Sequence, residues 1–483
     1  MNETTQTGDR NLQITGRTTD GTALHGVVTR WVSDRVSFDV SSPNCVLRSS
    51  ELIEEFKVWN CGQAVWSGTA VVQAVVDLGV GYACEATFDK GALLSMRKGL
   101  TVFGDCENQI RILIREGLHH LSNKLIVPEE FKILAVDFML LFASVRTELD
   151  RVESVFEGME AKEREGAELK LIRGILDAFG SRANDVVERF ENIVDTFSDE
   201  QKVHCRQMFR ALLHPMVLSA PFAHRSFTKP LGYAGDYEMV CMILRNKFEG
   251  RSLFAKFLNG WFLSQAPARA HRNRVTLLLR HIQNEVVRGI GVRNCTRIYS
   301  LGCGPAGEVQ QFMTSGKTGG QVKFTLVDFN VETIDYVSAN LIASSSMRRP
   351  DCTVEVVKKS VNQLLQEALR SARSNDKSPQ YEFVYCAGLF DYLTDAVCRR
   401  LIELLYERVA PDGLLVVTNV DQSHNSHRCF RNSLDFFLDW NLIYRTASQL
   451  ASIIPVSIPK EQCRVYSEDS GVNVFLEIRK PAN

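Results

Sequence analysis

The chain of 483 residues carries almost no net charge, since 56 Lys and Arg stand against 57 Asp and Glu to leave −1. That balance excludes the basic stripe on which electrostatic nucleic-acid binding depends, and it offers no polybasic membrane anchor. Long apolar runs are missing as well. The most apolar stretch, Phe138-Met-Leu-Leu-Phe-Ala143, falls far short of the roughly 20 residues that a spanning helix requires, so stable membrane insertion is not expected. The first eleven residues are polar and hold no signal-type apolar core. The thirteen cysteines form no C-x-x-C pair and no repeated spacing, which leaves neither a disulfide framework nor a zinc-ligand set. A cytoplasmic protein with reduced thiols and no metal is the expectation.

What the chain does have is 45% apolar and 23% charged residues, the balance of a globular protein, at a length of roughly three domains. The pattern predicts a β-rich barrel over 1–103, an α-helical cap over 104–290 and a doubly wound α/β domain over 291–483. In the first region, Gly26–Val32, Arg35–Val40, Gly68–Val76 and Gly81–Phe88 alternate and are rich in β-branched residues. In the second, Asn108–Leu121, Glu129–Val155, Ala167–Phe179 and Asn184–Phe197 place apolar residues at helical spacing. The charge-rich Glu160–Glu168 is expected to be a solvated helix face. In the third, strands are expected at Arg297–Leu301, Val322–Asp328, Thr353–Lys358, Phe383–Ala387, Gly413–Asn419 and Val472–Ile478, with helices between them.

Gly302-Cys-Gly304-Pro-Ala-Gly307 follows the first of these strands. The first glycine permits a tight turn, the second a close approach of backbone to ligand, and the third helix–strand packing. Asp328 ends the next strand, 21 residues after Gly307, where a carboxylate accepts hydrogen bonds from a ribose diol. That spacing suits NAD equally well. Cys303 is expected to be inert in a crowded turn.

The order of the motifs favours a different cofactor. Leu301-Gly-Cys-Gly-Pro305, Phe383-Val-Tyr-Cys-Ala-Gly-Leu-Phe-Asp-Tyr-Leu393 and Ala410-Pro-Asp-Gly-Leu-Leu-Val-Val-Thr-Asn419 resemble, in family order, class I S-adenosylmethionine (SAM) methyltransferases, a Rossmann-like fold. The resemblance implies that Gly302, Gly304 and Gly307 approach the methionine part, that Asp328 and Asn330 serve the ribose, and that Ser360 and Val361 lie by the adenine. Ala387 and Gly388 would then lie near the methyl donor, and Val472–Ile478 would be an inserted antiparallel edge.

Within the helical region, Lys229-Pro-Leu-Gly-Tyr-Ala-Gly-Asp-Tyr-Glu-Met239 interrupts the helices with glycines, tyrosines and one carboxylate, as a ligand clamp would. Together with Arg272-Asn-Arg274 and Trp440-Asn-Leu-Ile-Tyr-Arg445, it is similar to bacterial 3-hydroxypalmitic acid methyl ester synthases, which make quorum-sensing fatty-acid methyl esters. The resemblance implies carboxyl O-methylation of a 3-hydroxy fatty acid or similar small acid, with an acyl chain held by the helical region. An N- or O-methyltransferase on another small metabolite, or a SAM-binding regulatory scaffold, stays open. Tyr233, Asp236, Tyr237, His424 and His427 are the candidate catalytic or acceptor-orienting residues, with Asp391 and Tyr392 lining the same pocket. Arg274 would form a bidentate fork with the methionine carboxylate, and Lys229, Arg272 and Arg274 together would supply a local cationic pocket.

The N-terminal pattern is somewhat similar to a PilZ-type barrel, a module that often binds cyclic di-GMP. Arg30 and Arg35 are five apart rather than four, and Asp39-Val-Ser-Ser-Pro-Asn44 ends in Asn rather than Gly, so binding of cyclic di-GMP is not expected. Partners would be small molecules and no nucleic acid, and a homodimer is compatible with the sequence.

Overall fold

A computed structural model describes residues 12–18, 21–32, 35–40, 52–60, 63–77, 82–88, 127–156, 158–315, 320–343, 351–374, 379–421 and 430–482. The chain divides into two compact units, Met1–Lys124 and Leu125–Asn483. Among the described residues no helix is long and apolar enough to cross a membrane.

The first unit is a closed antiparallel barrel of β1 (Gln13–Thr18), β2 (Ala23–Val32), β3 (Arg35–Val40), β4 (Leu52–Asn60), β5 (Gln63–Asp77) and β6 (Tyr82–Phe88), in the order β1-β2-β3-β6-β5-β4. Alternation puts Leu24, Val28, Val36, Phe38, Phe56, Val58 and Trp66 inside. Closure leaves no free sheet edge. Arg35 pairs with Glu85 at 3.3 Å, and residues 41–44 of the PilZ-like pattern lie outside the described residues.

The second unit joins a helical layer to a sheet. Its helices are α1 (Glu129–Phe156), α2 (Ala161–Val194), α3 (Asp199–Val217), α4 (Pro221–Thr228), α5 (Tyr237–Arg245), α6 (Leu253–Ser264) and α7 (Ala266–Gly289). The expected Ala167–Phe179 and Asn184–Phe197 merge into one continuous helix, α2, which stops at Val194. A mid-helix glycine such as Gly180 costs only about 1 kcal/mol, and burial of Phe179, Ala183, Val187 and Phe190 on one face outweighs it. Glu160–Glu168 is not wholly solvated either, because Glu168 is buried between Arg164, at 2.9 Å, and Lys256. The expected helix Asn108–Leu121 lies outside the described residues.

The sheet holds β7 (Cys295–Leu301), β8 (Gln321–Asp328), β9 (Cys352–Lys358), β10 (Tyr381–Cys386), β11 (Val409–Val420), β12 (Cys463–Ser467) and β13 (Asn473–Arg479), ordered β12-β13-β11-β10-β7-β8-β9. Five neighbours, β9-β8-β7-β10-β11, run parallel, the doubly wound order whose switch point lies between β7 and β10. α8 (Gly307–Thr314), α9 (Val331–Ala343), α10 (Val361–Ser374) and α11 (Asp395–Glu407) make the crossovers. β13 is antiparallel to both its neighbours. It is therefore inserted as expected but is not the edge; that place belongs to β12, whose five half-exposed residues gave no buried-strand pattern.

The β11–β12 connection contains α12 (Arg431–Leu438) and α13 (Ala447–Ser452). α12 lies in the helical core, where Phe436 and Phe437 meet Phe131, Phe138, Phe190 and Phe209 with ring centres 4.9–6.0 Å apart. Both its ends are held from the helical layer. The buried Glu191 of α2 accepts the amides of Asn432 (2.9 Å) and Ser433 (2.7 Å), a carboxylate at a helix N-terminus. Arg210 of α3 donates to the carbonyls of Asp435 (2.6 Å) and Phe436 (3.0 Å).

Candidate active site

The turn after β7 takes a conformation that side chains resist. Gly302 and Gly304 have φ of +68° and +51°, the left-handed region that glycine enters without cost. The Gly302 amide donates to the Val327 carbonyl at 2.8 Å, tying the loop to the end of β8. A Cβ on Gly304 would meet nothing within 4 Å, so the loop faces open space there. Gly307 is needed for another reason: a Cβ would stand 2.7 Å from Leu244 of α5. The third glycine thus admits a helix of the helical layer rather than a strand.

Asp328, 6% exposed, ends β8. Its carboxylate accepts the Gly304 amide at 3.1 Å and the Asn330 amide at 3.0 Å, and burial raises its pKa against those hydrogen bonds. Asn330 in turn accepts the Thr333 amide at 3.1 Å and so caps α9. Between them Phe329 is 49% exposed, an apolar residue beside a carboxylate at the carboxyl edge of the sheet. Ser360 and Val361 follow β9, with Ser360 accepting the Gln363 amide at 3.2 Å as a helix cap.

β10 leads directly into Ala387 and Gly388, where Gly388 has φ +85°. A Cβ there would meet both terminal nitrogens of Arg274 at 3.0 Å. Arg274 rises from α7, is 8% exposed, and makes no hydrogen bond or ion pair among the described residues. Burial lowers its pKa, partly offset by the charges of Asp391 and Glu308. Buried cations are normally paired, so Arg274 is the site's outstanding polar feature. Asp391 accepts the Val420 amide at 2.6 Å, and burial pushes its carboxyl up to about 6. Glu308, buried in the first turn of α8, accepts the Tyr385 hydroxyl at 2.6 Å.

The glycine-tyrosine segment between α4 and α5 reaches this place. The Tyr233 ring packs on Phe329 with centres 5.5 Å apart. Burial, with the Asp328 charge nearby, raises the Tyr233 phenol well above its usual pKa, so it is a neutral hydrogen-bonding group. A Cβ on Gly235 would lie 2.6 Å from the Tyr392 hydroxyl and 3.3 Å from Trp440, and the Trp440 indole donates to that hydroxyl at 2.9 Å.

Other candidates are placed elsewhere. Asp236 is buried, caps α5 through the Met239 amide at 2.8 Å and pairs with Arg225 at 2.8 Å. Tyr237 packs against Tyr336 of α9, ring centres 4.8 Å apart and the planes tilted by 36°. The expected cationic trio is reduced to Arg274 alone: Lys229 pairs with Asp439 at 2.5 Å, and Arg272 donates to the Leu263 carbonyl at 3.1 Å. Cys303 is buried and its thiol pKa raised by burial. His424 and His427 lie outside the described residues. Phe329 was not singled out in the sequence, although an aromatic directly after the strand-end carboxylate Asp328 was a readable signal.

No protein-family model matches the chain, and no curated protein matches it. Among solved structures it is similar to the N-methyltransferase NodS of Bradyrhizobium japonicum in complex with S-adenosyl-L-homocysteine, at 14% identity over 51% of this chain and 98% of that one, with a TM-score of 0.30. It is also similar to an O-methyltransferase family protein from Burkholderia thailandensis, at 15% identity over 60% and 74%, TM-score 0.31. A third is the magnesium protoporphyrin IX methyltransferase of Synechocystis, at 10% identity over 44% and 85%, TM-score 0.32. At these TM-scores the likeness decides nothing, and strand order and loop geometry carry the reading.

Proposed function

We propose that the chain is a SAM-dependent methyltransferase acting on a small acid. The observation that carries this is the charge arrangement around the glycine loop. A dinucleotide needs free loop amides and a helix N-terminus for its pyrophosphate. Here the Gly304 amide is already bonded to Asp328, and Glu308 is buried in the first turn of the following helix, so two carboxyl groups stand against a pyrophosphate. A nucleoside without phosphate, carrying a carboxylate at its far end, suits the same groove. Phe329 would stack on its base, Asp328 and Asn330 would serve the ribose hydroxyls, and the unpaired Arg274 would hold the carboxylate in a bidentate fork. The inserted antiparallel β13 also departs from the dinucleotide order, in which the parallel series continues.

When bound, SAM supplies a methyl group already activated on a sulfonium, so the chain's contribution is proximity and alignment. Gly302 and Gly388 let backbone come close from two strand ends. Tyr233 covers the groove from the helical layer and excludes water. Asp236, as cap of α5 and partner of Arg225, holds that covering segment in place and acts through it. An ionised carboxylate acceptor needs no strong general base, which agrees with a site whose described tyrosines are held neutral. A 3-hydroxy fatty acid or similar acid is the acceptor we favour, giving a methyl ester of the quorum-signal type; another small metabolite with a hydroxyl or amine is the alternative.

The test is formation of S-adenosylhomocysteine with a panel of free acids, amines and alcohols. Turnover confined to acids is expected. Activity on amines alone would overturn the acceptor class, and failure of purified protein to bind SAM would overturn the donor.

A further inference from the structure

Beyond Trp440 from the glycine-tyrosine segment lies a second cavity that none of the roles above uses. Pro267 and His271 of α7, Leu434 of α12, Phe430, Leu442 and Val472 line it, at the carboxyl end of β11. It holds about 40 Å³, and a neighbouring space of about 50 Å³ shares Pro267, His271, Phe430, Leu434 and Trp440 with it. The walls are apolar, yet polar atoms with no partner face inward. Asn473, the first residue of β13 and 1% exposed, leaves both its side-chain oxygen and its nitrogen unbonded, and the buried Tyr444 hydroxyl is unbonded too. Each such atom costs about 1–3 kcal/mol when left unsatisfied, and buried polar groups are otherwise nearly always paired.

An amide offers one donor and one acceptor, and a phenol can be either. Their joint complement is a neutral group that both donates and accepts. The charged lining residues, Asp421 and Arg431, are of opposite sign, and His271 is held neutral by burial, so the cavity gives no net preference to an ionised group. The walls suit aliphatic carbon. We infer that this cavity binds the hydroxyl-bearing portion of an aliphatic acceptor, with Asn473 and Tyr444 reading the hydroxyl and Trp440 forming the wall between acceptor and donor sides. This rests on the methyl-transfer reading for its biological sense but not for its test.

Equilibrium binding of hydroxy acids and of the same acids without the hydroxyl is measured by calorimetry, beside SAM, with the full-length protein. Wild type should prefer the hydroxylated acid about tenfold, the worth of one neutral hydrogen bond. Asn473→Leu should abolish the preference while SAM binding is unchanged and the melting temperature holds or rises, because the substitution removes orphaned polar atoms. Leu434→Trp, which fills the space, should block both acids. A preference that survives in both Asn473→Leu and Tyr444→Phe overturns the assignment, as does a melting temperature that falls sharply in Asn473→Leu with binding intact, or a cavity that holds a buried water only. Hydroxy-acid binding that depends on Asn473 in a protein that ignores SAM would sustain the cavity and defeat the methyl-transfer reading. Loss of both acids in wild type with SAM still bound defeats the cavity and the acceptor class together.

Discussion

Replacing Arg274 by Met should make the ligand-free protein more stable and the ligand-bound protein weaker. The guanidinium is buried against Gly388 with no hydrogen bond among the described residues, held only by the charges of Asp391 and Glu308. Exchanging a buried charge for an apolar side chain of similar length typically gains about 1–3 kcal/mol. For the unit Leu125–Asn483 that is a rise of roughly 1–4 °C in Tm. The same change removes two charge-assisted hydrogen bonds to a bound carboxylate, each worth about 1.5–3 kcal/mol, and so at least about a hundredfold in Kd for SAM. Thermal shift with and without SAM reads both effects at once. Wild type at a hundredfold excess over Kd should gain about 2.7 kcal/mol from ligand, whereas Arg274→Met should start higher and gain no more than about 0.4 kcal/mol. A variant that melts lower than wild type and still shifts fully with SAM would refute the reasoning, since Arg274 would then be a structural cation.

Asp328→Asn keeps one of the two loop hydrogen bonds but turns an amide N–H toward the other backbone donor; we expect a loss of about 1.5–3 kcal/mol in SAM binding, read by calorimetry. Gly235→Ala would drive a methyl into the Tyr392 hydroxyl and Trp440, so the covering segment should lift, raising KM and increasing protease sensitivity there, with the overall melt little changed. The acid response should be steep. Burial and neighbouring arginines hold His271 at about 3 and His214 at about 4, below their unfolded values, so the folded state resists their protonation and loses stability as pH falls below about 6.5. From pH 6.5 to 5 this amounts to about 3 kcal/mol. Asp391, raised to about 6 by burial, opposes it, because its contribution declines as pH rises from about 4 to 6, and returns about 1 kcal/mol. Denaturant melts should show the net loss of about 2 kcal/mol, and His214→Gln with His271→Gln should flatten it.

The sheet was readable because its central strands are buried on both faces and so carry apolar runs, Phe383-Val-Tyr-Cys386 in β10 and Leu414-Leu-Val-Val417 in β11. The glycine loop and Asp328 were readable because their spacing encodes a turn and the next strand end. β12 was not, since a half-exposed edge of five residues has no such run. The fates of Lys229 and Arg272 were hidden for a different reason: what neutralises Lys229 is Asp439, 210 positions away, and no local pattern carries that. Asp236 reads as a ligand carboxylate only until its Arg225 partner and its cap are seen. Arg274 is the converse, a cation whose significance lies in the partner it lacks.

The placement of α12 has a consequence for how the chain comes into being. Glu191 must wait for Asn432, 241 positions later, and until then Phe131, Phe138, Phe190 and Phe209 have no Phe436 or Phe437 to close over them. At roughly 5–20 residues per second of synthesis, the helical layer stands on the ribosome with an open aromatic core for on the order of ten to fifty seconds. Such high sequence separation slows folding, and an exposed aromatic core invites chaperone capture or aggregation. Expression truncated before α12 should therefore yield insoluble helices rather than a separable helical domain.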